Sequence, residues 1–306
     1  MVSGTTVPRS RTIAGSLIGA GLLLFSAIAA SADKTPRQAP SGRPDLSAPL
    51  AGATYDYAWD GVAIGHPERA WLGRAYVPPQ VGRDASKPVP VLVFLHGLNR
   101  ELIPYRWMGG GKEGDVRRIV QALIDRKLIE PTLVVAPSSI VKSAVAAAET
   151  SWPSFDLDAF LAETRVALKG HATMDETRII VAGHSGAGCN DKGGLAAIAT
   201  SAKTTLLALL SVDTCMGLGL AQRLGQVDDK TAIVVTYQAQ TWRNRPFSDF
   251  KRRLHAARVS TAETGSTPIL REIEAMQPRE PFPHDALVRM TLEKWLPRWF
   301  SSTKSP

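Results

Sequence analysis

One serine in this chain stands where a hydroxyl can become a nucleophile. Residues 178–188 read Arg-Ile-Ile-Val-Ala-Gly-His-Ser-Gly-Ala-Gly. The apolar run Ile179 to Ala182 predicts a short buried strand. A tight glycine-rich turn with Ser185 at its tip follows, and then a segment compatible with helix. A sharp strand-to-helix turn of this kind lifts a serine hydroxyl out of a sheet into an open site, which is the layout of a nucleophile elbow. The spacing is Gly183-x-Ser185-x-Ala187, with Gly188 one place later, so alanine replaces the second glycine of the usual G-x-S-x-G pattern. A helix start after the turn would add free N–H groups and a positive dipole end beside the reacting atom. The same residues also suit a turn that merely packs a helix closely on a sheet. The rest of the chain must therefore supply a base, an acid and donors for an oxyanion.

The elements around this turn alternate. Two strand-like stretches, Thr54 to Val62 and Ala70 to Val77, are separated by Gly65-His66-Pro67 and predict an antiparallel hairpin at a sheet edge. Val91 to Leu95 is apolar throughout, as in a parallel strand covered on both faces. A helix is expected at 115–127, a strand at 132–136, a helix at 157–169, the strand at Arg178, and strands at 205–212 and 232–237. Ser248 is expected to cap a helix from Asp249 to about Arg258. A strand at 268–273 and a last helix from Asp285 to about Phe300 complete the chain. Alternation of this kind predicts an α/β fold with a doubly wound, mostly parallel sheet, helices on both faces and antiparallel strands at its N-terminal edge.

Taken together, Leu95-His96-Gly97 ending one strand, the serine turn two strands later and a histidine after the final strand resemble the α/β-hydrolase fold family. The resemblance covers residues 51–306. It implies the chain order serine, acid, histidine. Of six histidines, only His284, in Pro281-Phe282-Pro283-His284-Asp285, follows the last expected strand and precedes the last helix. There its imidazole can take the Ser185 proton and later pass it to a leaving group. The family's acid commonly follows the penultimate strand, but Tyr237-Gln238-Ala239-Gln240 carries no carboxylate before Asp249. Asp213, at the end of the preceding strand, is preferred, with Asp249 as the alternative. The oxyanion donors implied are the backbone N–H groups of Gly186, after the nucleophile, and Leu98, after His96-Gly97.

Tyr105, Trp107, Trp152 and Trp242 fall in loops after strands and are expected to line an apolar cleft on the Ser185 side, with burial as satellite core under those loops as the alternative. Cys189 and Cys215, the only two cysteines, would meet if adjacent strands carry them. A disulfide and a pair of buried thiols are the two alternatives. Neither cysteine is expected to be the nucleophile, and two alone cannot make a structural zinc site. The run Gly109-Gly110-Gly111-Lys112 lacks the spacing of a phosphate loop. No cofactor or metal is expected.

Arg9 and Arg11, the apolar run Ile13 to Ala30 and the small residues before Asp33 make 1–32 an expected export signal, with an uncleaved anchor as the alternative. Residues 33–50, rich in Pro, Ser and charge, read as a disordered linker. The whole chain has a formal charge of +8. Without the signal, 34 basic and 28 acidic residues leave +6, which suits an acidic polymer or membrane surface. The basic residues are scattered and form no nucleic-acid-binding motif, so nucleic acid is not expected as a partner. The expectation is a periplasmic or secreted serine hydrolase that cleaves a small-molecule or polymer ester through an acyl-enzyme. An amide or peptide substrate, acyl transfer, or a non-catalytic binding protein on the same scaffold are the alternatives.

Overall fold

The computed structural model describes residues 49–59, 71–81, 84–99, 115–138, 151–153, 155–228, 230–239, 248–254 and 270–301. The expected signal segment and the linker up to 48 lie outside them, as do Tyr105, Trp107 and Trp242. Leu50, the last residue of the expected linker, already packs against the core.

Eight strands form one sheet: β1 (Ala53–Trp59), β2 (Trp71–Val77), β3 (Pro88–Leu95), β4 (Leu133–Ser138), β5 (Thr173–His184), β6 (Ala208–Val212), β7 (Ala232–Gln238) and β8 (Arg271–Met276), in the order β1-β2-β4-β3-β5-β6-β7-β8. β1 pairs with β2 and β2 with β4 antiparallel, and every other pairing is parallel. This is the expected α/β architecture, with its antiparallel hairpin at one edge.

β3 and residues 179–182 of β5 are apolar at every position because both of their faces are covered. Val91, Val93 and Leu95 of β3 enter one core, while Leu92 and Phe94 enter the other. In β5, Ile179 and Val181 take the first core and Ile180 and Ala182 the second. This is the period-two alternation of strand side chains. The first core is closed by α2 (Leu157–Ala167), α3 (Gly194–Ser201), α4 (Leu218–Gly225) and α5, helical over 248–254. The second is closed by α1 (Val116–Asp125), α6 (Pro283–Trp295) and α7 (Pro297–Phe300).

Several boundaries differ from expectation for identifiable reasons. β5 starts at Thr173 rather than near Arg178, because Thr173 and Met174 pair with Pro88 and Val89 before a register shift opposite β3. The sequence does not predict α4: Gly219 and Gly225 give it poor intrinsic propensity, but burial of Leu220, Ala221 and Leu224 outweighs that. Ser248 is already helical, so it does not cap a helix starting at Asp249. β8 begins three residues later than expected. The last helix is broken before Pro297, which has no N–H to donate and would crowd the preceding turn.

β3 runs to β4 on one side, and the chain then returns to place β5 on the other side of β3. The strand order reverses between β3 and β5. In doubly wound sheets, ligands bind beyond the C-terminal ends of strands at such a switch point.

Candidate functional site

Register brings the expected residues to one rim. Leu95 of β3 sits opposite Gly183 of β5, His184 opposite Val212 of β6, and Val212 opposite Thr236 of β7. Gly97, Ser185, Asp213 and Gln238 therefore fall in neighbouring positions at the C-terminal edge.

Ser185 has φ +53, a left-handed conformation that side chains other than glycine adopt only under constraint. The constraint is visible: a Cβ on Gly97 would lie 2.8 Å from Ser185 Cβ and 3.2 Å from its Oγ. The loop leaving β3 thus passes against the serine and has no room for a side chain. A Cβ on Gly186 would lie 3.0 Å from Leu98 N. The backbone that carries both expected oxyanion donors is accordingly in close contact. The turn itself differs from expectation. Ser185–Gly188 is a single 3-10 turn, and the helix begins only at Gly194. No helix start lies directly beside the serine, so the local N–H groups come from the turn. Ala187 is tolerated because the close approach falls one residue later, where a Cβ on Gly188 would meet Thr214 at 2.7 Å.

Asp213 follows β6 with φ +45, and its side chain is only 2% exposed. Its carboxylate accepts from Gln238 N–H at 3.1 Å, from the Gln238 side-chain amide, and from His284 Nδ1 at 2.5 Å. Burial pushes the carboxyl up, but the donors of His284 and Gln238 outweigh it and hold the group below its ordinary value. A carboxylate oxygen can only accept here, so Nδ1 of His284 carries the hydrogen and, in the neutral ring, Nε2 is left as the base. Asp249 lies elsewhere, on α5, where it pairs with Arg252 at 2.5 Å. Of the two candidate acids, Asp213 is the one that meets His284. Among the described residues no hydrogen bond joins Ser185 Oγ to His284.

His184 is 3% exposed, and its ring lies 4.3 Å from that of His284. Its Nε2 donates to the main-chain oxygen of His284 at 3.1 Å. Burial, reinforced by His284 and opposed by Asp213, lowers its pKa to about 3. The ring is therefore neutral and holds the first turn of α6, which carries His284.

Trp152 corrects the expected cleft. Its side chain is 1% exposed, packed 4.6 Å from the His96 ring and 5.5 Å from that of Phe155. A buried indole N–H needs an acceptor, and Trp152 Nε1 finds one in the His96 carbonyl at 3.0 Å. Trp152 therefore supports the β3 loop from beneath and does not line an open cleft. Gln238, His184 and Ser151 were not singled out by sequence. Gln238 occupies the end of β7, where the family resemblance places the acid, and that position is the one signal the sequence offers.

Cys189 and Cys215 form a disulfide, Cα–Cα 4.9 Å, as one of the two alternatives required. It ties the segment after Ser185 to the segment after Asp213.

No protein-family model and no curated protein matches the chain. Solved structures do. A protein named ferulic acid esterase is 12% identical with a TM-score of 0.55, over 82% of this chain and 98% of that one. A structure described as FAE gives 12% identity and 0.55 over 88% and 95%. An uncharacterised protein from Capnocytophaga ochracea DSM 7271 gives 12% and 0.51 over 79% and 63%. At these identities the likeness is one of fold, and with the strand order it gives the chain the α/β-hydrolase fold.

Proposed function

We propose that this chain is an exported serine hydrolase that cleaves a carboxylic ester, with Ser185 as nucleophile, His284 as base and Asp213 as its acid partner. The observation that carries the reading is the hydrogen bond from His284 Nδ1 to Asp213 Oδ2, made at the strand end next to the strained Ser185 turn. It fixes the imidazole in the tautomer whose Nε2 can accept a proton. His284 Nε2 takes the Ser185 proton as Oγ attacks the ester carbonyl. The N–H groups of Gly186 and Leu98 receive the developing oxyanion, a contribution of roughly 3 kcal/mol per donor. His284 then protonates the departing alcohol. A water, deprotonated by the same nitrogen, releases the acid and restores Ser185. The Ser185–His284 contact must form during turnover, and hydrogen bonds of this type tighten in the substrate complex.

Export is supported by the Cys189–Cys215 disulfide, which suits an oxidising compartment, and by the charged and apolar pattern of residues 1–32. An ester substrate is supported by the chemistry of an activated serine. The similar fold of a protein named ferulic acid esterase makes a feruloyl ester the first substrate to try.

The test is a panel of p-nitrophenyl esters, a feruloyl ester and aminoacyl anilides, with a fluorophosphonate probe alongside. The wild type is expected to hydrolyse at least one ester and to take the probe, and folded Ser185→Ala to do neither. A folded wild type that takes no probe and cleaves nothing would overturn the reading in favour of a binding role.

A further inference from the structure

Ser151 and Trp152 touch both arms of the oxyanion site assigned above. Ser151 Oγ donates to the Gly186 carbonyl, and Trp152 Nε1 donates to the His96 carbonyl at 3.0 Å. The dipeptide is itself anchored. Asn190 Nδ2 donates to Ser151 O at 2.8 Å and Gly194 N–H to Trp152 O at 3.2 Å. Both side chains are buried. Trp152 adopts φ +54, a conformation that a bulky residue keeps only where its surroundings dictate it. That turn sends two consecutive side chains to two different strand ends.

The position of the pinned carbonyls matters. On one arm the chain runs from the His96 carbonyl through Gly97 to the Leu98 N–H. On the other it runs from the Gly186 N–H through Gly186 to the Gly186 carbonyl. In each case a single glycine separates the pinned peptide from the donor peptide. Glycine is the residue whose dihedrals resist rotation least, so the direction of each N–H depends on what holds its neighbour. His96 Nδ1 also meets the Gly97 carbonyl at 2.5 Å and Cys189 N–H also donates to the Gly186 carbonyl at 3.2 Å, but the Ser151–Trp152 pair reaches both arms at once.

We propose that Ser151 and Trp152 are positioning residues that set the direction and separation of the Leu98 and Gly186 N–H groups. They act on the oxyanion step without touching substrate. The inference rests on the hydrolase reading of Ser185, and it adds a specific pair of residues to it. An oxyanion site depends on donors fixed before charge develops, and misplacement by about 1 Å can cost on the order of a hundredfold in rate.

The test compares Ser151→Ala, Ser151→Thr, Trp152→Phe and the double variant Ser151→Ala/Trp152→Phe with the wild type on a p-nitrophenyl ester. A trifluoromethyl ketone serves as a second probe, since its adduct with Ser185 places an oxyanion between the two donors. For Ser151→Ala and Trp152→Phe, kcat is expected to fall about 10- to 100-fold with KM within about twofold. Ketone affinity should fall in parallel with kcat. Ser151→Thr keeps a hydroxyl and should recover most of both. The double variant should lose less than the product of the singles, because the two residues act as one unit. If Trp152→Phe does not fold by circular dichroism, Ser151→Ala, which removes one oxygen, carries the test. Folded variants with unchanged kcat and ketone affinity, or with a raised KM at unchanged kcat, would overturn the clamp while leaving the hydrolase reading intact. A wild type that neither hydrolyses esters nor takes a fluorophosphonate would overturn both.

Discussion

His184 Nε2 donates to the main-chain oxygen of His284 at 3.1 Å, so the residue immediately before Ser185 holds a residue one hundred positions further along. The acceptor is a carbonyl, and the hydrogen must therefore sit on Nε2 of His184. Protonating the second nitrogen of this buried ring would place a charge against His284, and burial is the larger obstacle.

This pair has a consequence for acid stability. The pKa of His184 is about 3 in the folded chain against an ordinary 6.5. Between those values the unfolded chain binds the proton and the folded chain does not. The stabilisation is thus full above pH 6.5 and is lost as the pH falls towards 3. His184→Gln keeps a donor at the Nε2 position and removes the titration. It should flatten the dependence of unfolding free energy on pH in that window by up to about 1.4 kcal/mol per pH unit, read from urea unfolding at a series of pH values. A variant with the slope of the wild type would show that His184 is not held neutral.

Asp213 and Asp249 should separate cleanly in kinetics. Asp213→Asn removes the carboxylate that fixes the His284 tautomer, and kcat should drop about 10³- to 10⁴-fold. Asp249→Asn breaks an exposed ion pair with Arg252 and should leave kcat within about twofold. Gln238→Leu is the intermediate case. It removes one donor to the Asp213 carboxylate, so the carboxyl should rise from its depressed value. Because that depressed group stabilises the fold above its ordinary pKa and loses this as the pH falls through the folded value, the acid limb of stability should move to higher pH. Equal loss of rate in both Asn variants would count against Asp213.

The Cys189–Cys215 bridge closes a loop over a separation of 26 residues. A cross-link of that length contributes about 3 kcal/mol, chiefly through the unfolded chain in the loop-entropy account. The double variant Cys189→Ser/Cys215→Ser should unfold at correspondingly lower urea. Its kcat should fall as well, since the bridge joins the segments behind Ser185 and Asp213. Loss of stability with kcat unchanged would confine the disulfide to folding.

Short-range spacing made part of this readable. The strand and turn around Ser185 are local, because an apolar run, a tight turn and small flanking residues are all encoded within eleven positions. The buried alternation of β3 and the hairpin at the edge are local for the same reason, and so is the Pro-led start of the helix that carries His284. α4 was not readable, since its glycines oppose helix and only packing of Leu220 and Leu224 overrides them.

The sequence alone determined the layered fold class, and it pointed to Ser185 through a local turn pattern and to His284 through its place after the last expected strand. Tertiary structure decided which carboxylate meets His284, because Asp213 and Asp249 both lie after strands and only the register of β5, β6 and β7 selects one. It also turned Trp152 from an expected cleft residue into a buried support. A loop aromatic exposes or buries its ring according to what lies beneath it, and here that was the His96 carbonyl, 56 residues away along the chain.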